Sequence, residues 1–276
     1  MKRQSRFTPV LEKMEYRAFL LKKQAYQTLF LSLPRKDAKR LIFVAGVQRS
    51  GTNMLMDVLE RSFETKVYHE RDPRAFDCYE MRPPRIIHKL VKVSSAPHVV
   101  LKALCELQDL RRLMDEFAPS KGIWLVRHYE DVVNSHLDLW SGMPESIRRI
   151  VEDRNGAGWR GRGMSDETHA LVRSLYHPGI SNESACALFW YFRNILFFEQ
   201  GLDRDPRVRL VCYEQLVQRQ HETFDELFAF LGIAYTPRVS RQVVASSVRR
   251  RSPPEIDPAI RQVCNALSAR IERLVG

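Results

Sequence analysis

The segment Gly46-Val-Gln-Arg-Ser-Gly51-Thr52-Asn53 carries the densest set of residues able to hold an anion. Its glycines let backbone approach a ligand closely, and amides at the start of a following helix can face a negative group. Ser50, Thr52 and Asn53 add side-chain donors beside Gln48, and Arg49 adds a full charge. The Gly-x4-Gly spacing matches the opening of a nucleotide P-loop, which continues with Lys and Ser/Thr. Here Gly51 is followed by Thr52 and Asn53, and the cation has moved inside the loop to Arg49. A second apolar run, GIWLV (122–126), ends in Arg127. A P-loop NTPase places there an Asp that helps to hold Mg²⁺. Arginine at both places suits an anion bound without an obligatory metal, and no metal ligand is assigned.

Such residues need a scaffold that ends several strands side by side. Apolar runs at 41–47, 98–104, 122–127 and 208–214 precede helical patterns at 54–63, 106–117, 129–141 and 215–231. This alternation predicts an α/β fold, a central parallel β-sheet flanked by helices on both faces. Before it, Val10, Leu11, Met14, Ala18, Leu21, Ala25 and Leu29 fall at helical spacing, and Pro34 and the basic stretch 35–40 end the pattern. Residues 1–39 thus read as an N-terminal helical extension packed on a main domain of 40–276, with a membrane-surface helix over 9–40 as the second reading. A mostly helical insertion is expected over about 142–200. Within it, NGAGWRGRGMS (155–165) reads as a flexible, solvent-facing loop, and Trp190 and Tyr191 as core.

The 276 residues include 44 basic and 33 acidic side chains, a net charge of +11, and 33 of the basic residues are arginine. Arginine's planar fork suits phosphate and sulfate oxygens, so anionic partners are expected. A hydrophobic content of 44% excludes a disordered polyelectrolyte. The longest apolar runs are far too short to span a bilayer. No apolar segment and cleavage site follow the basic start, and the five cysteines include no close pair. A cytoplasmic protein, with membrane association open, is the expectation. No helix-turn-helix, zinc-finger or RNA-binding aromatic signature is present, so nucleic acid is not an expected partner.

Together, Arg49-Ser50-Gly51-Thr52 after the first strand and Arg127-x7-Ser135 after a later one resemble the sulfotransferases that use 3′-phosphoadenosine 5′-phosphosulfate (PAPS). The resemblance is best over about 40–140 and extends loosely through Val211-Cys-Tyr-Glu214 and Phe230-Leu-Gly232. It implies a P-loop-like sulfotransferase fold and a sulfuryl transfer to a hydroxyl or amine acceptor. In that scheme residues 48–53 hold the 5′-phosphosulfate, and Arg127 and Ser135 the 3′-phosphate. A late basic loop, with Ser247, Arg249 and Arg250, would close over the 3′-phosphate and adenine. Enzymes acting on phenols and steroids carry a Lys-x-His; here Lys102 is kept but Leu104 stands where the histidine would fall. Carbohydrate sulfotransferases often use a Glu about twenty residues past the first motif, which makes Glu70 the leading candidate base. His69 and then Asp72 follow it, and Lys102 is a candidate contact for the transferring group. The implied acceptor is a glycan or glycolipid. A P-loop kinase or NTPase and a non-catalytic nucleotide-binding protein are the alternatives; oligomeric state stays open.

Overall fold

The computed structural model describes residues 8–31, 39–138, 141–244 and 248–275. Its strands are β1 (Arg40–Ala45), β2 (Thr65–Tyr68), β3 (Phe76–Asp77), β4 (Glu80–Met81), β5 (His98–Ala103), β6 (Ser120–Val126) and β7 (Val208–Cys212). Five of them form one sheet in the order β2-β5-β1-β6-β7, every pairing parallel, while β3 and β4 make a small antiparallel hairpin. The helices are α1 (Thr8–Tyr26), α2 (Thr52–Glu60), α3 (Pro84–Val93), α4 (Leu110–Glu116), α5 (Tyr129–Leu137), α6 (Met143–Glu152) and α7 (Asp166–Leu175). They continue with α8 (Asn182–Asn194), α9 (Leu196–Glu199), α10 (Tyr213–Gln218), α11 (Gln220–Leu231), α12 (Pro237–Ser240) and α13 (Pro258–Val275).

The middle strand shows why the sheet is covered twice. Alternate side chains of a strand point to opposite faces. Leu41, Phe43 and Ala45 enter a core shared with α4, α5, α6, α8 and α13. Ile42 and Val44 enter another, shared with α2, α10 and α11. A run with no polar residue on either face is stable only between two helical layers.

Three departures from the sequence expectations have local causes. Strand β2, TKVY, is too short and too polar to show a pattern, and pairing Thr65 to Tyr68 against His98 to Leu101 fixes it. The helix expected over 215–231 breaks at Arg219 into α10 and α11. The 155–165 segment faces solvent only in part: Asn155, Gly158, Arg162 and Gly163 are exposed, but Ala157, Gly161 and Met164 are buried. It wraps the fully buried Arg193 of α8, whose guanidinium donates to the carbonyls of Trp159 (3.2 Å) and Arg160 (3.4 Å) and to Gln108 Oε1 (3.3 Å). Tyr191 is half-buried and Trp190 buried, both in the core around α8.

The N-terminal helix, α1 with the π-helical turn Gln27–Leu31 that continues it, departs more. It docks through Lys23 and Gln27, both buried, and through Phe19 set edge-on to Phe63. The stripe expected to pack inward, Met14, Ala18, Leu21, Ala25 and Leu29, faces outward. Backbone acceptors explain the reversal. Gln27 donates to the carbonyls of Phe63 (2.9 Å) and Thr65 (2.8 Å), and Lys23 to that of Glu60 (2.5 Å), between the end of α2 and the start of β2.

Arg193 supplies a stability test. Arg193→Met removes the donors for several buried acceptors, so urea unfolding is expected to show a loss of about 2–4 kcal/mol. Unchanged stability would show that the 155–165 segment holds its shape without the guanidinium.

Candidate active site

The site is built where β1 ends. Gly46 has φ +152 and lies so close to β6 that a Cβ there would be 2.4 Å from the Leu125 carbonyl oxygen. Gly51 has φ +92, and a Cβ there would be 2.3 Å from the Tyr213 ring. Arg49 also takes a left-handed φ, +71, a costly conformation for a residue with a side chain. The Ser50 amide closes the turn on the Val47 carbonyl at 3.1 Å. Helix α2 starts at Thr52, and its leading amides have no acceptor within the helix. Ser50 is fully buried, and its Oγ has no hydrogen-bond partner among the described residues. A turn with no room for side chains, unused amides and an orphaned hydroxyl fits a phosphate-type group.

The second motif meets this turn directly. Arg49 Nε donates to Ser135 Oγ at 2.8 Å, and Arg127 donates to the Arg49 carbonyl at 3.4 Å. Arg127, buried at the end of β6, also lies 4.7 Å from the Tyr213 ring centroid and 3.5 Å from Asp131. Thus Ser135 bonds Arg49, while Arg127 faces Asp131. Trp190 Nε1 donates to the Arg127 carbonyl at 2.9 Å, a role beyond core packing. His136 Nε2 lies 3.3 Å from the Gln48 carbonyl oxygen, and burial pushes the ring down to about 4, so it is neutral near pH 7. The late loop arrives beside them: the Arg249 amide donates to both Asp131 oxygens, at 3.2 and 3.1 Å. Arg251 bonds Asp138 at 2.8 Å, and Arg250 is exposed. Ser247 lies outside the described residues. A cavity of about 300 Å³ opens here, with Arg127, Asp131, Trp190 and Arg249 in its lining.

On the other side of the turn, Lys102 rises from β5. It is buried and donates to Asn53 Oδ1 at 2.5 Å while pairing with Glu70 Oε2 at 2.9 Å, tying the loop to the residues after β2. Burial pushes the Glu70 carboxyl up, but the Lys102 ammonium more than offsets this and holds it below its usual value. Glu70 is therefore ionised at neutral pH. His69 is pushed up, first by its hydrogen bond to Glu60, which favours the cation and makes it a poor proton acceptor. Asp72 is held by Arg74 at 2.9 Å. Ligand-type atoms of Asp57, Glu60 and His69 lie within 4.8 Å of one another, but Tyr16 and His69 already bond Glu60 and no metal is assigned there.

A match to the sulfotransferase domain family spans residues 39–251, most of the chain. The chain belongs to the sulfotransferase family. Among solved structures it is similar to the sulfotransferase domain from the curacin biosynthetic pathway, at 15% identity and a TM-score of 0.53, over 85% of this chain and 99% of that one. It is also similar to the sulfotransferase from Alicyclobacillus acidocaldarius, at 15% identity and a TM-score of 0.47, over 87% of this chain and 94% of that one. No curated protein matches it by sequence. Membership in this family displaces the kinase and NTPase alternatives.

Within this sulfotransferase, three residues have environments that the sequence reading did not assign, although Asp131 and Tyr213 lie inside stretches that carried the resemblance. Tyr213 packs on both Gly51 and Arg127, and Asp131 joins the second motif to the late loop. Glu106 lies just beyond β5, where burial pushes its carboxyl up to about 7. Its Oε1 accepts the Met81 amide at 2.6 Å, and its Oε2 is buried with no hydrogen-bond partner among the described residues. A glutamate following an apolar run offers no signal of such an environment.

Two measurements follow from these environments. Lys102→Met is expected to raise the Glu70 titration followed by carboxyl NMR, by about one pH unit or more; an unmoved titration would mean that the ion pair does not set it. Glu106 has a folded pKa above its ordinary 4.5, so it withdraws stability as pH rises from 4.5 through about 7. Glu106→Gln should therefore melt higher than wild type at pH 8, and the gap should close below about pH 4.5. Equal melting temperatures at pH 8 would contradict the buried-acid assignment.

Proposed function

We propose that this sulfotransferase moves the sulfuryl group of PAPS to a hydroxyl, or an amine, of a carbohydrate or glycolipid acceptor. The observation that carries the reading is the buried, unpartnered Ser50 Oγ in a turn joined to Arg127 and Ser135. In this scheme Gln48, Arg49, Ser50, Gly51, Thr52 and Asn53 receive the 5′ end of the donor. Arg127, Ser135, Ser247, Arg249 and Arg250 serve its 3′-phosphate and adenine.

The donor supplies an activated sulfuryl group, and transfer breaks its S–O bond to the 5′-phosphate as a bond to the acceptor oxygen forms. Glu70 takes the acceptor's proton. Arg49 and the free amides of α2 hold the charge that builds on the leaving phosphate, the place where preorganised donors help most. Lys102 orients Glu70 and, through Asn53, fixes its distance from the loop. With Arg49 and Arg127 supplying positive charge on either side of the turn, the transfer needs no metal. The glycan or glycolipid assignment rests on the placing of Glu70 after the first helix and on Leu104 in place of a histidine.

An acceptor screen with ³⁵S-labelled PAPS tests the reaction. Label is expected on glycan or glycolipid hydroxyls; labelling of simple phenols alone would overturn the acceptor class, and no transfer to any acceptor would favour a non-catalytic nucleotide-binding protein. Glu70→Gln should lower kcat by about 100-fold or more, the usual scale for a lost general base. Its affinity for 3′,5′-adenosine bisphosphate, measured by calorimetry, should not change. A fully active Glu70→Gln would remove the base role.

A further inference from the structure

The outward stripe of α1 is the largest anomaly on the surface. Among the described residues, six of the ten large hydrophobic side chains recorded as exposed lie between Met14 and Phe30. Met14, Leu21, Leu29 and Phe30 are each 61–69% exposed, whereas Lys23 and Gln27 on the opposite face are 4% exposed. An ordinary surface helix does the reverse. Hydrogen bonds from Gln27 and Lys23 to the chain beside β2 commit the polar face to the domain. Among the described residues, the apolar face from Met14 to Leu29 stays exposed.

Charge identifies what covers it. Arg17 and Lys22 are exposed and flank the stripe on either side of the helix, with the exposed Glu15 on the Lys22 side. Eleven basic and three acidic residues lie in the first 40 positions, so this segment holds +8 of the chain's net +11. The sulfotransferase domain match begins only at residue 39. Two copies meeting through this segment would bring +8 against +8. No described helix is long and apolar enough to cross a membrane. An apolar stripe about 20 Å long on a strongly net-basic segment suits a bilayer with anionic headgroups.

We infer that α1 is a membrane-surface anchor, its polar face clamped to the domain and its apolar face set into an anionic lipid bilayer. Tyr16 of this helix also bonds Glu60, the partner of His69, so the anchor shares one network with the residues next to Glu70. The anchor does not depend on the donor or acceptor assigned above, because vesicle binding needs neither.

The test is co-sedimentation of the full chain with phosphatidylcholine vesicles and with phosphatidylcholine–phosphatidylglycerol vesicles, at low and high salt. Wild type is expected to pellet with the anionic vesicles and to be released by salt. The Leu21→Asp/Leu29→Asp variant should bind them about tenfold less, and Arg17→Glu/Lys22→Glu should lose the preference for anionic lipid. Both variants change exposed side chains, so thermal midpoints equal to wild type are the folding control. Wild type that stays in the supernatant, or aspartates that leave binding intact, would overturn the anchor. So would a dimer seen by sedimentation velocity that the aspartates dissociate while lipid binding is absent.

Discussion

Two guanidinium groups cross between motifs that lie about eighty residues apart in the chain, and the site's shape depends on that exchange. Arg49 reaches from the β1 turn to Ser135, and Arg127 reaches back from β6 to the Arg49 carbonyl. Adjacent parallel strands make this possible by delivering both motifs to one edge of the sheet. The exchange also requires a turn that bends tightly enough for Arg49 to stand at positive φ, with no side chain at Gly46 or Gly51. Tyr213 then fills the space that a larger residue at 51 would need and offers its ring to Arg127. The result is a preorganised positive rim around unused amides, which needs little rearrangement when an anion arrives.

Lys102 plays the matching part on the other side of the β1 turn. A buried ammonium is costly unless it is paired, and its two partners, Asn53 and Glu70, come from different elements. The same ion pair that satisfies Lys102 keeps Glu70 ionised, so one buried cation links the anion loop to the proposed proton acceptor. Beside it, His69 is biased toward its protonated form by Glu60, which separates two neighbours that the chain places side by side.

What could be read from the chain follows from how local each feature is. The turn, the strand ends and the Arg127-to-Ser135 spacing are written in consecutive or helix-spaced residues, and the alternation of runs carries the parallel sheet. Asp131, Tyr213 and Glu106 gain their roles only when remote segments close around them, and no pattern announces that. Helical spacing told which residues of α1 share a face but not which face the domain would cover, because backbone acceptors beside β2 decided it. The Gly- and Arg-rich stretch at 155–165 looked solvated because its organiser, Arg193, comes from a helix about thirty residues later. The net charge divides in the same way: a few arginines line the candidate site, while most of the excess sits on the N-terminal segment.

A crystal structure of the protein with 3′,5′-adenosine bisphosphate tests the central claim most directly. The account predicts the 5′-phosphate seated on residues 48–53, with one of its oxygens within about 3.2 Å of Ser50 Oγ, and the 3′-phosphate beside Arg127. A nucleotide bound away from the β1 turn, with Ser50 Oγ still unpartnered, would contradict it.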